Sequence, residues 1–369
     1  MKIGLIDNDL VKRDNHNFPN LAIMKLSSYH KQNGDNVELI GFEEINPMSL
    51  FSNDFDLIYV SKAFTDTETP EYIFKMNNVK IGGTGFYFDK AEPLPYEIEH
   101  SKPDYDIYKK AYSFIKKKTF FDEYSIGYTT RGCFRQCEFC VNKNSKKVEL
   151  HSPIDEFYEP AKKKLAMLDD NILGLPNKEL YKIFDRLEEI NKPFQYRQGM
   201  DLRLITKERA NRLLSLKYDD IFYFAFDLIE NKDLITTKLG LWSELMEIKK
   251  PNRQWNRTRL FVFCGFNPNN ETNINFWIND LENIFVRFSI IYKYRCQPYT
   301  MKHKDYLKSP LKYVYDYISK YTNEPFGKNG QISLNEYIDT SLDIKITNKI
   351  KLFRDKYPQF RRMFDAKIL

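Results

Sequence analysis

The sequence predicts an α/β protein: a doubly wound parallel sheet, then a partial (β/α)6 barrel, then a helical and basic C-terminal tail. Three observations predict this class. Short apolar runs alternate with helix-like segments along most of the chain. In the second half these runs form six successive strand–helix units, a series typical of parallel barrels, in which eight units are usual for closure. Proline-spaced polar residues separate the two halves.

Composition excludes several classes of protein. The chain has 369 residues, 42% of them hydrophobic, which suffices for one large domain or two smaller ones. No apolar run approaches the roughly 18 residues that a membrane span needs, and the N-terminal segment does not resemble a secretory signal. We therefore expect a cytoplasmic protein with no membrane partner. Five cysteines, three of them within eight residues, indicate metal or redox chemistry in a reducing compartment.

The first domain is assigned to residues 1–95 and has a β-α-β-β-α-β, Rossmann-like pattern. Its strands are predicted at Lys2–Asp7, Val37–Ile40, Leu57–Val60 and Val79–Gly83, with a helix at Asn20–Gln32. Ligands of such sheets bind beyond the carboxyl ends of the strands. Those ends are Asp7–Asp9, Ser61–Lys62 and Gly82–Gly85. A linker, spaced by prolines, is assigned to 96–123.

The second domain, residues 124–299, is predicted to be a TIM-like partial barrel. Its strands are predicted at Ser125–Thr130, Leu165–Asp169, Phe194–Leu202, Ile221–Leu228, Leu260–Phe266 and Val286–Tyr294. Helices are predicted at Asn177–Asn191, Lys207–Leu216, Asp233–Ile248 and Asn273–Phe285. Catalytic residues of such barrels lie at the carboxyl ends of the strands, so we expect the active site there.

The tail, residues 300–369, is predicted to be helical with a turn at 323–330. It contains 14 Lys and Arg and 8 Asp and Glu residues, which accounts for the net charge of +6. This charge indicates either an ordinary solvated surface or a docking surface for RNA or another polyanion. Lys312–Tyr321 interleaves lysine with tyrosine, a pattern that suits either base stacking or a packed helix face.

The most informative segment contains Cys133, Cys137 and Cys140, spaced C-x3-C-x2-C directly after the first predicted barrel strand. Three nearby thiolates suit a soft metal. Zinc would need a fourth ligand, whereas a [4Fe–4S] cluster with three cysteines has one iron open to another molecule. Candidates for a fourth zinc ligand are His151, Cys264 and Cys296. The two lone cysteines are expected instead to be small core residues.

This motif, with the aromatic Phe139 before its last cysteine, resembles the signature of the radical SAM superfamily. The resemblance implies a partial barrel and a [4Fe–4S] cluster held by Cys133, Cys137 and Cys140. It implies that S-adenosylmethionine chelates the open iron and is reductively cleaved. The resulting 5′-deoxyadenosyl radical abstracts hydrogen from a substrate. A one-electron donor such as flavodoxin or ferredoxin is then needed, and Phe139 is expected to pack by the adenine.

The end of the second barrel strand is the next candidate for cofactor binding. Superfamily members often have a Gly-Gly-Glu motif here that contacts the amino group of S-adenosylmethionine, and this chain lacks it. Asp169, Asp170 and Asn171 occupy the place. Carboxylates suit an ammonium group, and the structural alternative is a helix cap.

Polar residues of the third and fourth strands complete the candidate cofactor-binding set. Gln198, Asp201 and Arg203 interrupt the apolar third strand, and Asp227 ends the fourth. Asp201 and Arg203 are two residues apart and would share one face of a strand. They would either recognise the cofactor or substrate or form a structural ion pair. Asp227 has a capping role as its alternative.

The N-terminal domain resembles the cobalamin-binding domains fused to one radical SAM subgroup, through the glycine run at 80–86. Cobalamin is therefore a candidate cofactor, although the Asp-x-His-x-x-Gly cobalt motif is absent and a domain that only covers the barrel is the alternative. No cysteine precedes Cys133, which argues against a two-cluster methylthiotransferase. Methyl transfer and RNA modification stay open as reactions. The alternative function is a nucleic-acid-binding protein with a structural zinc site.

Overall fold

The computed structural model describes residues 1–14, 16–48, 54–111, 115, 118–142, 145–219, 221–249, 251, 257–323 and 333–365. The chain divides into two compact units, Met1–Phe194 and Gln195–Leu369. Parallel strands joined by helices confirm the predicted α/β class. The predicted turn at 323–330 lies outside the described residues, apart from its first residue. Within the described ranges, no helix has the length and apolarity that crossing a membrane requires.

The first unit contains the strands of the predicted N-terminal domain and the first strands of the predicted barrel. Its strands are β1 Lys2–Asp7, β2 Asn36–Leu39, β3 Leu57–Ser61, β4 Val79–Gly82, β5 Tyr124–Gly127, β6 Thr130–Arg131, β7 Glu149–Leu150 and β8 Lys164–Met167. Its helices are α1 Asn8–Lys12, α2 Leu21–Gln32, α3 Thr84–Tyr87, α4 Tyr96–Glu99, α5 Thr119–Glu123, α6 Ile154–Phe157 and α7 Asn177–Ile190. The unit ends inside strand β9, Phe194–Tyr196.

The N-terminal sheet is parallel, in the order β2–β1–β3–β4. Successive residues of β1 enter different core clusters, as the alternation of a strand requires. Ile3 and Leu5 pack with Ile23 of α2, while Ile6 packs with Ile58 on β3. The apolar runs found in the sequence therefore form a sheet that is buried on both faces.

The carboxyl end of β1 carries a buried acid, Asp7, which is 1% exposed. Its Oδ2 accepts a 2.7 Å hydrogen bond from the Tyr108 hydroxyl, and its Oδ1 accepts one of 3.2 Å from the Leu10 N–H. Burial raises the pKa of Asp7 to about 6, although the charge of His16 and these hydrogen bonds offset part of the rise. The folded protein therefore holds this proton more tightly than the unfolded chain does.

Replacing Asp7 with Asn should make the free energy of unfolding less dependent on pH. Wild type should lose about 2–3 kcal/mol relative to the variant as pH rises from about 4 to about 7, because ionising a buried Asp7 destabilises the folded state. Urea unfolding of both proteins across this range checks the prediction. A difference between the two proteins that does not change with pH would contradict it.

Two short ladders follow in the first unit. β5 pairs in parallel with β8, with Tyr124 opposite Lys164, and the Leu165 N–H donates to the Pro193 carbonyl just before β9. β6 pairs antiparallel with β7, with Thr130 opposite Leu150 and Arg131 opposite Glu149, and the three cysteines lie between these two strands in the sequence. The three cysteines therefore lie in a loop whose two ends are joined.

The second unit contains the parallel sheet β10–β11–β12 and the C-terminal helices. Its strands are β10 Phe222–Ala225, β11 Thr258–Cys264 and β12 Gln297–Lys302. Its helices are α8 Lys207–Ser215, α9 Lys232–Lys249, α10 Ile274–Lys293, α11 Lys312–Asn323, α12 Leu334–Ser341, α13 Ile344–Lys356 and α14 Arg361–Asp365. These last four helices confirm that the described part of the tail is mostly helical.

Two strand predictions in this half were wrong. The predicted sixth strand, Val286–Tyr294, is the last part of helix α10 and its C-cap residue Tyr294, and the strand that follows is β12. Buried residues of α10 recur every three or four positions, at Ile284, Phe288 and Ile291. The short apolar run around them did not distinguish a helix from a strand. The third strand is also shorter than predicted, because it ends at Tyr196.

Candidate functional site

The cysteine loop is built from two consecutive tight turns. Cys133 begins the first, and Gln136, with φ +48°, separates it from the second. Cys137 and Cys140 lie at the ends of the second turn, where the Cys140 N–H donates to the Cys137 carbonyl at 2.9 Å. The three thiols and the Phe139 side chain are half-buried. The loop therefore holds the thiols within one short segment and leaves each of them accessible.

Nitrogen donors approach two of the sulfur atoms. The Arg135 N–H donates to Cys133 Sγ at 3.5 Å, and the Asn142 N–H donates to Cys140 Sγ at 3.4 Å. Asn171 adds a third contact, from its Nδ2 to Cys133 Sγ at 3.5 Å. Such donors stabilise a thiolate over a thiol, and hydrogen bonds to sulfur tune the potential of iron–sulfur clusters. The donor set therefore suits thiolate ligands.

Asp170, just beyond the end of β8, fixes both ends of this cysteine segment. Its Oδ2 accepts from the Gly132 N–H at 2.8 Å, and its Oδ1 accepts from Asn142 Nδ2 at 2.8 Å. With Asn171 on Cys133, two of the three residues predicted at this strand end contact the cysteine loop directly. Asp170 therefore connects the two ends of the cysteine segment by hydrogen bonds and does not cap a helix.

Asp169 and Asn171 each contain a buried acceptor atom that has no partner among the described residues. Asp169 Oδ1 accepts four hydrogen bonds, between 2.6 and 3.1 Å, from the N–H and hydroxyl groups of Thr129 and Thr130. Asp169 Oδ2 and Asn171 Oδ1 are buried and accept no hydrogen bond from any described residue. Burial raises the pKa of Asp169 despite these donors. An unsatisfied buried acceptor is costly, so this pair would favour a ligand that donates hydrogen bonds.

An ionic network adjoins the start of the loop, and the sequence analysis missed it. The Arg131 guanidinium lies 3.4 Å from the Tyr128 ring centre and 3.7 Å from Glu99 Oε1. Glu99 also contacts Lys25 Nζ at 3.0 Å and His151 Nε2 at 3.3 Å. Burial alone would raise the pKa of Glu99, but these partners lower it to about 2. His151, a candidate zinc ligand, is therefore engaged by a carboxylate.

The described residues contain no preformed metal site. No group of three or more His, Cys, Asp or Glu side chains within them is arranged to hold a metal ion. The chemistry of the three cysteines and the N–H···S contacts at Cys133 and Cys140 suit the thiolate ligands of a cluster. Cys264 and Cys296 are 1% and 0% exposed and belong to the core of the second unit, as their assignment as core residues expects.

In the second unit, Asp201 and Arg203 form a local ion pair. Asp201 begins a turn of 3₁₀ helix at Leu202–Leu204, and its Oδ1 accepts from Arg203 N at 3.2 Å and Nε at 2.6 Å. The pair predicted to share a strand face is therefore present, but on a helical turn, because the strand has already ended. Gln198, in the preceding loop, is exposed.

Asp227 follows strand β10 in a setting of mixed charge. Burial raises its pKa to about 6, while the charges of Arg287 and Arg203 lower it and that of Asp201 raises it. Arg287 Nη1 donates to the carbonyls of Phe226, Asp227 and Phe263, between 2.6 and 3.2 Å. This arginine, which sequence reasoning missed, joins the carboxyl ends of β10 and β11. Its position in a run taken for a strand concealed it.

The edge of the N-terminal sheet does not fit cobalamin. Gly83 has φ +99°, and a Cβ on it would collide with the Lys62 carbonyl; one on Gly85 would lie 2.5 Å from Lys62 Cγ. The glycine run at 80–86 therefore accommodates the chain's own Lys62 rather than an open cradle. Asp9, at the end of β1, is also used internally, by the Ala63 N–H at 2.6 Å and the Thr67 hydroxyl. We derive no chemistry from cobalamin.

Many basic residues of the tail have partners within the second unit. The pairs are Lys302 with Asp316, Lys308 with Asn270, Lys351 with Asp339, Arg354 with Asp365, and Lys356 with Glu282. Tyr317 is fully buried, whereas Tyr313 is 49% exposed. These contacts favour the packing interpretation for Tyr317 and an ordinary solvated surface for the paired cations.

A Cβ at Gly132 should disrupt the cysteine loop. Gly132 has φ +90°, and a Cβ there would collide with Ser145 Oγ and the Lys147 carbonyl. Gly132→Ala should destabilise the loop by about 1–3 kcal/mol and lower the content of the iron that the cysteine motif is predicted to bind. Gly240→Ala, in helix α9 with no neighbouring atom closer than 3.5 Å, is the matched control and should bind iron as wild type does. Equal iron content in both variants would contradict the role of Gly132.

No protein-family model matches the chain, and no curated protein sequence matches it either. The assignment of a function therefore depends on the residues of this chain.

Proposed function

We propose that this protein is a radical SAM enzyme whose cysteine loop holds a [4Fe–4S] cluster through Cys133, Cys137 and Cys140. The observation that carries the proposal is that residues just beyond the end of strand β8 contact the cysteine loop. Asp170 fixes the loop backbone at Gly132, and Asn171 contacts Cys133 Sγ. When bound, the cluster and S-adenosylmethionine supply one-electron cleavage of the sulfonium to a 5′-deoxyadenosyl radical.

The residues of the strand end would bind the amino group of S-adenosylmethionine. Asp169 Oδ2 and Asn171 Oδ1 are buried acceptors with no hydrogen-bond partner among the described residues, and an ammonium group would satisfy both. Threonine donors on Asp169 Oδ1 orient this carboxylate. Asp169 and Asn171 therefore serve as cofactor-binding residues, while Asp170 positions the loop.

Further parts of the proposal follow from the same resemblance. The partial (β/α)6 barrel and a cofactor or substrate role for Asp201, Arg203 and Asp227 stay predictions from the sequence, and Phe139 would lie by the adenine. The electron would come from a flavodoxin- or ferredoxin-like donor in a reducing, cytoplasmic setting. An enclosed site would keep water and oxygen from the radical.

Binding of S-adenosylmethionine to the anaerobically reconstituted protein tests the proposal. Asn171→Leu should weaken binding by about tenfold or more, because it removes one acceptor of the ammonium group. Asp169→Asn should weaken it as well, because the negative charge is lost. Exposed Asn275→Leu on helix α10 is the matched control and should bind as wild type does. Calorimetry under anaerobic conditions provides the measurement, and equal affinities in all four proteins would contradict the assignment.

A further inference from the structure

The sheet of the second unit has two unlike faces. Alternate residues such as Phe222, Phe224 and Leu260 are buried, and Trp242 of helix α9 packs edge-on against the two phenylalanines. The Trp242 indole N–H also donates to Thr258 Oγ1 at 2.8 Å. The residues that alternate with these along the strands lie on the opposite face and are only half-buried. They are Tyr223, Ala225, Arg259, Phe261, Gln297 and Tyr299.

Three aromatic rings on this half-buried face form a continuous platform. Ala225, Phe261 and Tyr299 stand opposite one another across β10, β11 and β12. The Tyr223 and Phe261 rings are stacked, with centroids 5.3 Å apart and planes 26° apart, and the Phe261 and Tyr299 rings meet edge-to-face at 5.7 Å. Gly199 provides the space beside them, since a Cβ there would lie 2.7 Å from Phe261 Cδ2. Such a platform suits a planar ring.

Arg259 adds a positive charge to the same face. It stands between Tyr223 and Gln297 in the strand register, and its Nη2 donates to Gln297 Oε1 at 3.1 Å. Its Nε is buried and has no hydrogen-bond partner among the described residues. Its guanidinium carbon lies 5.8 Å from the centre of the Tyr299 ring. A buried cationic donor with no acceptor favours an anionic group of a ligand.

We call the half-buried face formed by Tyr223, Phe261, Tyr299 and Arg259 the ring face. We propose that this ring face binds a small molecule with a planar aromatic ring and an attached carboxylate or phosphate. The ring would stack on Phe261 and its neighbours, and the anion would meet Arg259 Nε. The role of this molecule as the substrate rests on the proposed function. The binding of a ring-bearing anion to this face does not depend on that function. The ring face thus determines the class of ligand.

Calorimetry on the full-length protein, with and without its reconstituted cluster, tests this site. The ring anions are indole-3-acetate, for a carboxylate, and adenosine 5′-monophosphate, for a phosphate. The partial probes are indole, adenosine, acetate and inorganic phosphate. One ring anion should bind at least about tenfold more tightly than its uncharged ring or its free anion, and which one binds identifies the anionic group. Absence of binding by both ring anions would overturn the proposal.

Variants connect the binding to the ring face. Arg259→Gln should weaken binding of the ring anion by about tenfold or more while leaving the uncharged ring unchanged, and Arg259→Lys should weaken it less. Phe261→Leu should weaken the binding of both the ring anion and the uncharged ring. Arg295→Gln, a surface arginine of the same unit paired with Glu247, is the control and should bind as wild type does. Equal affinity in Arg259→Gln and Arg295→Gln would overturn the site.

Two further outcomes separate this inference from the proposed function. Ring-anion binding that persists in a protein unable to cleave S-adenosylmethionine supports the site while the radical assignment fails. Cleavage without ring-anion binding overturns the site alone. Displacement of the ring anion by one equivalent of S-adenosylhomocysteine would assign the ring face to the cofactor and overturn its substrate role.

Discussion

Cys133→Ala, Cys137→Ala and Cys140→Ala should each lose the iron–sulfur cluster, whereas Cys264→Ala should keep it. The loop supplies three thiolates to the proposed cluster, so removal of any one leaves too few ligands to hold the cluster. Cys264 is 1% exposed in the core of the second unit, and burial raises its pKa well above the ordinary value, which disfavours the thiolate that a metal needs. Iron and sulfide per chain, with the visible absorbance, provide the measurement after anaerobic reconstitution.

The matched control for this series is Cys296→Ala, which removes another buried thiol. It should retain iron as Cys264→Ala does, with at most a loss of stability from the small cavity. Loss of iron in Cys264→Ala or Cys296→Ala, with retention in Cys137→Ala, would contradict the ligand assignment. It would move the metal away from the cysteine loop.

Arg287→Met should strongly destabilise the second unit. Arg287 is 2% exposed and donates to three carbonyls at the ends of β10 and β11. The variant leaves those carbonyls without a donor and Asp227 without its main opposing charge, so we expect a loss of about 3–5 kcal/mol in the free energy of unfolding. The pKa of Asp227 should rise further.

Tryptophan fluorescence during urea unfolding measures this effect in the intact chain, because every tryptophan lies in the second unit. Arg287→Lys should lie between wild type and Arg287→Met, since lysine keeps the charge but not the planar fork. Arg295→Gln, at the surface, should change stability by no more than about 1 kcal/mol. An Arg287→Met variant as stable as Arg295→Gln would contradict this account.

The sequence predicted strands best where the pattern was unambiguous. β1 was predicted with its observed bounds, because an apolar run ends there in acids. Arg287 shows the opposite case. It lies in a helix among closely spaced apolar residues. The periodicity of so short an apolar run fits a strand as well as a helix.

The candidate site was predicted in part for the same kind of reason. Strand ends are recognisable from sequence, and the carboxyl ends of neighbouring parallel strands meet at one edge, so the pattern alone places Asp170 and Asn171 near the cysteines. The division of roles among Asp169, Asp170 and Asn171 depends on which oxygen meets which donor, and no sequence pattern contains that information. Gly132 could have been found, since a glycine directly before a functional cysteine indicates a special backbone conformation.

The central claim is tested most directly by mixing the anaerobically reconstituted protein with S-adenosylmethionine and dithionite and measuring 5′-deoxyadenosine. Iron, zinc and cobalt are counted in the same sample. We expect 5′-deoxyadenosine, about four irons per chain and no cobalt. Bound zinc with no cleavage of S-adenosylmethionine would contradict the account and favour a structural zinc site instead.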